Sequence, residues 1–366
     1  MVVVTVLFWV SLGALVWTHA AYPVAARTLA RVRTRPVRKD DGHLPTVSVV
    51  VAAHNEETVI ERRLENLQGM HYPVDKLELV VTSDASTDRT DELAERAGAR
   101  VIRNLRGGKV AAQNNAVRQT TGEILAFSDA NCTWDPDALR KLVCNFADDD
   151  VAYVCGRLNL QDGDGRNKEG VYWRYELALR ADESRIGSVT GGNGSIYAVR
   201  RENYVEVDPR FGHDLSFPYL MVQRGKRAVY EPEANAYEKA TLTNEDEYRR
   251  KVRMFEHCWL ITLRGSLLRR LPPIYWVEVV SHRLLRYASG LLHLVLLGTA
   301  AALAALDGGW LWWAALGAQG ALLAAAAAGV GIARYYVLVT WATVVSLRNY
   351  LRRGVPATWD AAEGTR

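Results

Sequence analysis

The chain has 366 residues, which is enough for one large domain or two domains of medium size. Charged residues make up 23% of the sequence and hydrophobic residues 49%, a balance that excludes a disordered chain and a protein made only of membrane helices. The formal net charge of +4 is too small to indicate nucleic-acid binding, and we expect no nucleic-acid partner.

The N-terminal 26 residues contain no aspartate, glutamate, lysine or arginine. At about 1.5 Å per residue, a helix of this length crosses a hydrocarbon core about 30 Å thick. A cleaved signal peptide is the alternative, since His19-Ala20-Ala21 offers small residues for cleavage. Such a peptide carries positive charges before its apolar core, however, and here they begin at Arg27. We predict a transmembrane helix over 1–26, a basic cytoplasmic linker over 27–45, and a cytoplasmic domain after it.

Strand and helix signals alternate over residues 46–247. Val47–Ala53 is a nearly continuous β-branched run, which is typical of a strand buried on both faces. Further strands are predicted over 77–81, 100–103 and 124–127, and helices over 58–68, 91–97, 109–119 and 137–145. The alternation predicts an α/β domain with a mostly parallel sheet. The four cysteines of the chain form no C-x-x-C pair, so we expect reduced thiols.

Three predicted strands end in polar residues, at His54-Asn55-Glu56, Ser83-Asp84 and Ser128-Asp129-Ala130-Asn131. A single group of this kind could be a helix cap or a turn. Three at the carboxyl edge of one parallel sheet indicate a ligand site, because such sheets bind ligands beyond that edge. No G-x-G-x-x-G follows the first strand and no Walker lysine loop is present, so a dinucleotide site or a P-loop is not favoured.

The C-terminal third of the chain contains further apolar segments. Residues 248–286 mix arginines with leucine and aromatic residues, which predicts amphipathic helices at a membrane surface; ordinary surface helices are the alternative. Two uncharged runs, Tyr287–Leu306 and Gly308–Ala333, predict a transmembrane hairpin over 287–333. The apolar run Tyr335–Leu347 is short for a span, so we predict a re-entrant or interfacial helix and a cytoplasmic tail over 334–366. The chain is thus expected to be an integral protein of the cell membrane.

Seven motifs occur in a fixed order between Val47 and about Arg264: VVVAAHNEE, VVTSDASTDRT, GGKVAAQNNA, FSDAN, GGNGSIYAVRR, GHDLSFPYLMVQRGKR and RRKVRM. Together they resemble the family 2 glycosyltransferases of the GT-A fold. The resemblance is strongest to the membrane-anchored branch related to cellulose, chitin and poly-N-acetylglucosamine synthases. It implies a GT-A domain, a nucleotide-sugar donor, a lipid-linked or glycan acceptor, contact with membrane lipids, and a role in polysaccharide or cell-envelope synthesis.

The resemblance implies which residues bind the donor: Ala53, Asn55, Glu57, Asp84, Lys109, Arg250 and Arg253. Asp84 would contact the base, usually uracil, with Ser86 and Asp88 ordering its loop, and Lys109 would meet the phosphates. Arg250 and Arg253 match a Q-x-x-R-W motif in which Gln has become Arg250 and Trp has become Met254. These two arginines share a helix face, whereas Arg249 and Lys251 are expected at lipid headgroups.

The resemblance also implies a metal motif at Asp129 and Asn131, in which an amide replaces the second acid. Mg2+ commonly keeps only one or two protein carboxylates together with substrate phosphates, so this pair suits Mg2+ or Mn2+. Asp214 falls at the position of the general base, and the neighbouring His213 is the rival base. The segment 191–195 is interpreted as tight backbone beside the acceptor or as a simple turn.

The sequence therefore predicts an inverting membrane glycosyltransferase that moves a hexose or N-acetylhexosamine, with a UDP-sugar as the expected donor. A processive polysaccharide synthase is one alternative, which the changed Q-x-x-R-W motif and the few spans weaken. A catalytically silent nucleotide-sugar-binding scaffold is another alternative, and Asn131 and His213 are the residues that support it. A nucleotidyltransferase is a third alternative, because such folds also end strands in acids. A homo-oligomer remains possible under each alternative.

Overall fold

The computed structural model describes residues 1–161, 170–239 and 244–358, which form two compact units. The sheet unit contains the described parts of 26–242, residues 265–275 and residues 356–358. The helical unit contains residues 1–25, the described part of 243–264, and residues 276–355. The chain therefore enters and leaves the sheet unit several times.

The sheet unit is built on an eight-stranded sheet of order β3-β2-β1-β4-β7-β6-β8-β5. Its strands are β1 (Val47–Ala53), β2 (Leu77–Asp84), β3 (Arg100–Asn104), β4 (Ile124–Asp129), β5 (Thr133–Trp134), β6 (Val151–Gln161), β7 (Ile196–Arg200) and β8 (Arg227–Lys239).

The helices of both units follow in chain order. They are α1 (Val2–Val16), α2 (Tyr22–Val32), α3 (Ile60–Gln68), α4 (Thr90–Arg96), α5 (Lys109–Gln119), α6 (Ala138–Val143), α7 (Val171–Ile186), α8 (His213–Gln223), α9 (Asn244–Arg264), α10 (Pro273–Val279), α11 (Leu285–Tyr287), α12 (Ser289–Asp307), α13 (Trp310–Ala327) and α14 (Gly331–Arg353). Two π-helical turns, Trp17–Ala21 and Val280–Leu284, interrupt the helical unit.

The first half of the sheet is parallel and covered on both faces. β1 pairs in parallel with β2 and β4, and β2 pairs in parallel with β3. Val49 and Val51 pack in one apolar cluster and Val50 in another, because successive side chains of a strand point to opposite faces. Double-sided burial explains why β1 consists almost entirely of apolar residues, as predicted. The predicted α/β fold with a mostly parallel sheet is confirmed.

The second half of the sheet mixes strand directions. β7 is antiparallel to both β4 and β6, and β8 runs parallel to β6 and antiparallel to β5. The segment 265–275 is attached to this half by side-chain hydrogen bonds. The Gln223 amide donates to the carbonyls of Leu267 (3.0 Å) and Arg269 (2.9 Å), and the Tyr275 hydroxyl donates to the Val189 carbonyl at 2.9 Å.

Three helices of the described residues are long and apolar enough to cross a membrane: Val2–Val32, Ser289–Asp307 and Trp310–Ala327. The first corrects the predicted linker, because the helix continues through Arg27 and Arg31 to Val32 before an extended segment begins. Arginine, alanine and leucine are strong helix formers, so the onset of charge does not end the helix. The two C-terminal spans form the predicted hairpin, and Gly308 between them adopts φ +68°.

The helix after the hairpin is longer than its apolar run. The structure extends Tyr335–Leu347 into the 23-residue helix α14. α14 packs against α9 within the helical unit: the Trp259 indole donates to the Thr343 carbonyl at 3.1 Å, and Arg353 pairs with the buried Glu256 at 3.1 Å. The predicted short interfacial helix is therefore part of a full-length packed helix.

Candidate active site

The carboxyl ends of β1, β2 and β4 meet at one edge of the sheet. Ala53, the last residue of β1, lies opposite Ser83 of β2, and Ala52 lies opposite Asp129 of β4. These strands are adjacent and parallel, so the polar residues that follow them share this edge. The three polar strand ends recognised in the sequence are thus neighbours in space.

Hydrogen bonds connect the loop after β1 to the loop after β2. The Asn55 N–H donates to Ser86 Oγ at 3.1 Å, and the Glu57 N–H donates to the Asp88 carboxylate at 3.1 Å. Asn55 itself has a left-handed backbone with φ 55°. Burial raises the pKa of Asp88, but hydrogen bonds from Thr90 and Glu57 outweigh burial and lower the pKa below its usual value. The two loops therefore form one connected rim.

Asp84 holds the glycine loop that precedes α5. Its carboxylate is buried and accepts hydrogen bonds from the N–H groups of Gly107 (2.7 Å) and Gly108 (3.1 Å). The Arg106 guanidinium donates to the same carboxylate at 2.5 Å. These donors fix the loop and balance the charge of Asp84. The predicted contact between Asp84 and a nucleotide base stays a prediction.

Lys109 is the first residue of α5 and lies among three carboxylates. Its ammonium group forms an ion pair with Asp129 and donates to the Gly194 carbonyl at 3.2 Å. Burial by itself lowers the pKa of Lys109, but Asp129 raises it, with further contributions from Asp214 and Glu238. The net result is a raised pKa, so Lys109 is a cation at neutral pH. It links the metal motif to the position of the predicted base.

Asp129 ends β4, and Asn131 lies in the turn that follows, partly exposed. The described residues contain no group of three or more histidine, cysteine, aspartate or glutamate side chains arranged to hold a metal ion. The motif thus offers one carboxylate and one amide at the open edge of the sheet. This donor set fits a hard divalent cation that takes its remaining ligands from substrate oxygens. It does not fit a cation held by protein side chains alone.

Ser195 lies between two carboxylates. Its hydroxyl is 3.3 Å from Asp129 Oδ2 and also forms a hydrogen bond with Glu238 at the end of β8. The backbone before it is tightly organised, since Asn193 Oδ1 accepts the Ser195 N–H at 3.2 Å. A Cβ at Gly194 would lie 3.1 Å from the Lys109 ammonium. Of the two interpretations of 191–195, the tight backbone segment describes this geometry.

A buried arginine contacts the end of β4, next to the metal motif. Arg63 on α3 is 1% exposed, donates to Ser128 Oγ at 2.8 Å, and lies over the Trp134 ring at 4.8 Å. Burial lowers the pKa of Arg63, whereas the nearby Cys132 and Asp129 raise it. Ser128 Oγ donates in turn to the Asp129 carbonyl at 2.8 Å. The guanidinium therefore fixes the end of β4.

His213 and Asp214 begin α8 but differ in environment. His213 is buried, its Nδ1 faces the Tyr197 hydroxyl at 2.8 Å, and its ring stacks on Phe217 at 4.4 Å. Burial, with a smaller effect of Lys109, lowers the pKa of His213 to about 3, so the ring is neutral at pH 7. His213 is thus a core residue, which removes the support for it as the rival base. Asp214 is partly exposed and close enough to Lys109 to influence its charge.

Arg250 and Arg253 belong to α9 in the helical unit. Arg250 forms an ion pair with Glu247 at 2.9 Å. Burial lowers the pKa of Arg253, with a smaller contribution from Arg250. Their role in binding phosphate stays a prediction.

The part of the chain that contains most of these candidate site residues is similar in sequence to a known protein family. Residues 48–207 match the sequence model of the family described as Glycosyl transferase family 2. This segment of the chain is therefore similar to family 2 glycosyltransferases. The matched segment contains Asp84, Lys109 and Asp129, together with the segment 191–195.

The proteins to which the chain is similar differ in the products that their names state. A beta-monoglucosyldiacylglycerol synthase from Synechocystis sp. is 32% identical over 213 residues, which is 53% of this chain and 44% of that protein. An N-acetylglucosaminyltransferase from Rhizobium meliloti is 27% identical over 301 residues, 73% of this chain and 68% of that protein. The chain thus spans less than half the length of the synthase.

Similarity to a solved structure extends over nearly the whole chain. The mannosyltransferase PcManGT from Pyrobaculum calidifontis, in complex with GDP-Man and Mn2+, has a TM-score of 0.74 and 25% sequence identity. The match covers 96% of this chain and 98% of that one. The GT-A fold is thereby confirmed.

Three residues of the candidate site could not be recognised from the sequence. Arg63 lies within a predicted helix, where it reads as one arginine among several surface charges. Ser195 was included only as part of a glycine-rich segment, and Glu238 lies in β8, a strand that was not predicted. Only the pairing of distant segments brings these residues to Asp129. The available signal was the serine that follows the glycines of GGNGS.

Proposed function

We propose that the chain transfers a hexose or N-acetylhexosamine from a nucleotide-diphosphate sugar to a lipid-linked or glycan acceptor. The observation that carries the proposal is the position of Lys109 among Asp129, Asp214 and Glu238 at the carboxyl edge of the sheet. A transferred sugar leaves a diphosphate, whose charge must be neutralised as the bond breaks. This edge combines a cation, a metal motif and a partly exposed carboxylate.

The donor is proposed to lie along the rim formed by the loops after β1 and β2. Ala53, Asn55 and Glu57 would border the nucleotide, and Asp84 would hold the glycine loop against it. Lys109 would exchange its contact with Asp129 for the diphosphate oxygens. We favour a UDP-sugar, although the solved relative carries GDP-Man. Arg250 and Arg253 would contribute further charge to the phosphates.

A divalent cation, Mg2+ or Mn2+, would be held by Asp129 and Asn131 together with donor phosphates. When bound, it supplies charge stabilisation for the departing diphosphate. The Mn2+ in the solved relative supports this assignment. Arg63 and Ser195 would keep the Asp129 carboxylate in position, so that it need not reorganise when the substrate arrives.

The acceptor hydroxyl is proposed to lose its proton to Asp214. A general base must lie within hydrogen-bond reach of the proton it removes, and Asp214 is on the same edge as Lys109 and the glycine-rich segment. The Gly192 N–H donates to the Asp214 carbonyl at 2.8 Å, which fixes the first turn of α8 beside that segment. Direct attack by the acceptor gives one displacement and therefore inversion at the sugar.

The apolar helices and the glycolipid synthase among the relatives support a membrane acceptor. We propose a membrane enzyme of the cell envelope whose catalytic domain faces the cytoplasm. The arginines after the first span support this orientation, because positive residues concentrate in cytoplasmic loops.

The test is nucleotide release by the full-length protein purified in lipid nanodiscs. UDP-glucose, UDP-N-acetylglucosamine, UDP-galactose and GDP-mannose are compared with Mg2+, Mn2+ or a chelator. The proposal expects metal-dependent release from one donor, with loss in the Asp214→Asn variant. Asp208→Asn is the matched control, because Asp208 is a surface acid paired with Arg210 at 2.6 Å. Nucleotide binding without release from any donor, with membrane lipid extract present, would support a silent scaffold instead.

A further inference from the structure

Five polar side chains meet inside the helical unit, and we call them the polar cluster: His19, Arg286, His293, Gln319 and Tyr336. His293 Nε2 and the Tyr336 hydroxyl are 2.8 Å apart, and the His19 and Tyr336 rings lie 5.3 Å apart. Gln319 is within hydrogen-bonding range of His293. Arg286 is close enough to His19 and Tyr336 to interact with both electrostatically. Five helical segments therefore contribute to one polar site.

The members of the cluster lie at different depths of the apolar segments. His19 is eight residues before Arg27, which is about 12 Å along a helix. His293 is the fifth residue of α12, and Arg286 precedes that helix. Gln319 lies eight residues before Ala327, the end of α13, at a similar depth of about 12 Å. Arg286 is therefore the outermost member of the cluster, His293 lies about two helical turns deeper, and His19 and Gln319 lie among the apolar residues.

The backbone beside the cluster is specialised. His19 lies in the π-helical turn Trp17–Ala21, and Arg286 follows the π-helical turn Val280–Leu284 by two residues. The two turns contact each other, since the Thr18 hydroxyl donates to the Ser281 carbonyl at 2.6 Å. The π-helical turn is rare and occurs frequently at functional sites. Two such turns in contact, each next to a member of the cluster, indicate more than ordinary helix packing.

The chemistry of the cluster selects the ligand. None of the five residues is an acid, and Arg286, which is 8% exposed, carries a permanent positive charge. The Gln319 amide nitrogen is buried and has no hydrogen-bond partner among the described residues. Charged and polar side chains within apolar membrane segments are costly and usually serve a ligand or a pathway. An anion bearing further acceptor oxygens complements this set.

We propose that the polar cluster binds an anionic glycerophospholipid. Arg286 takes the phosphate, and His19, Gln319 and Tyr336 meet the ester oxygens of the glycerol below it. A phosphate lies at the membrane surface and the esters lie deeper, which is the order of these residues along the helices. The proposal does not depend on sugar transfer, because a lipid that is not the acceptor would bind in the same way.

The test is lipid binding to the full chain in detergent, measured by native mass spectrometry with added phosphatidylglycerol. One tightly bound lipid is expected, and Arg286→Gln is expected to weaken its binding by about tenfold or more, through loss of a charge-assisted hydrogen bond. Tyr336→Phe removes one hydroxyl and is expected to weaken binding by a few-fold. Arg348→Gln changes an exposed arginine of α14 and should leave binding unchanged.

The results also separate the possible ligands. Diacylglycerol, which lacks the phosphate, should bind at least about tenfold more weakly than phosphatidylglycerol. Equal binding of the two lipids, or displacement of the lipid by inorganic phosphate, would overturn the proposal. If Arg286→Gln does not fold, unchanged phosphatidylglycerol binding in a folded Tyr336→Phe variant would assign the cluster to helix packing alone.

Discussion

Replacing Lys109 by methionine tests how the candidate active site balances its charge. In the structure the Lys109 ammonium neutralises Asp129, whose side chain is only 28% exposed. A hydrogen bond to a charged group contributes about 1.5–3 kcal/mol, and tenfold in affinity corresponds to about 1.4 kcal/mol. The variant should therefore bind nucleotide diphosphates about 10- to 150-fold more weakly. It should also bind Mn2+ more tightly without nucleotide, because no ammonium then competes for Asp129.

Both effects are measurable without turnover. Isothermal calorimetry gives the affinity for UDP or GDP, and electron paramagnetic resonance gives the free Mn2+ concentration. Lys226→Met is the control, because Lys226 is a partly exposed lysine outside the candidate site that donates to the Asp149 carbonyl at 2.8 Å. Mn2+ affinity that is unchanged or reduced in Lys109→Met, with the fold intact, would refute the reasoning that the lysine and the metal share one carboxylate.

Three further predictions concern stability and the second carboxylate. The pKa of His213 is lowered to about 3 in the fold, so the unfolded chain binds the extra proton below about pH 6.5, and stability should fall by about 2 kcal/mol between pH 7 and pH 5. Denaturant unfolding at both pH values checks this. His213→Gln should remove this part of the loss of stability between pH 7 and pH 5. Gly108→Ala should destabilise the protein by more than Gly225→Ala. Both glycines have positive φ, but only a Cβ at 108 meets a neighbour, the Ala357 carbonyl at 2.1 Å. Thermal melting compares them, and removing the chain from Pro356 onward should reduce the difference; equal losses in both variants would contradict the steric argument. Glu238→Gln should weaken Mn2+ binding in the presence of nucleotide by a few-fold, because the site loses one nearby negative charge; the same resonance titration tests this, and unchanged affinity would place Glu238 outside the metal's influence.

The parallel half of the sheet was predictable because its strands are short apolar runs between helices. β1 and α5 have the predicted bounds, and β2 and β4 run two or three residues longer than predicted, up to Asp84 and Asp129. Strand order follows from the right-handed crossovers of such units, so the sequence also indicated which polar ends would meet. The antiparallel half was not predictable in this way, since β6, β7 and β8 pair across long sequence separations.

The site was predictable to the extent that its residues follow parallel strands. Asp84, Lys109 and Asp129 could be recognised one motif at a time. The Ser195–Glu238 and Arg63–Ser128 contacts join residues 43 and 65 positions apart, and no local pattern records such pairs. The π-helical turns could not be predicted from the sequence either. A π-helical turn rotates the helix face that follows it but leaves the amino-acid composition of the helix unchanged.

The interleaving of the two units limits how the protein can be divided. The chain crosses between units five times, after residues 25, 242, 264, 275 and 355. A fragment of residues 26–242 would leave out most of the apolar helices, but it would also lose the segment 265–275. The Gln223 amide and the Val189 carbonyl would then lose the partners that this segment provides. An isolated version of the sheet unit therefore requires 265–275 to be rejoined by a designed linker, since no single cut separates the two units.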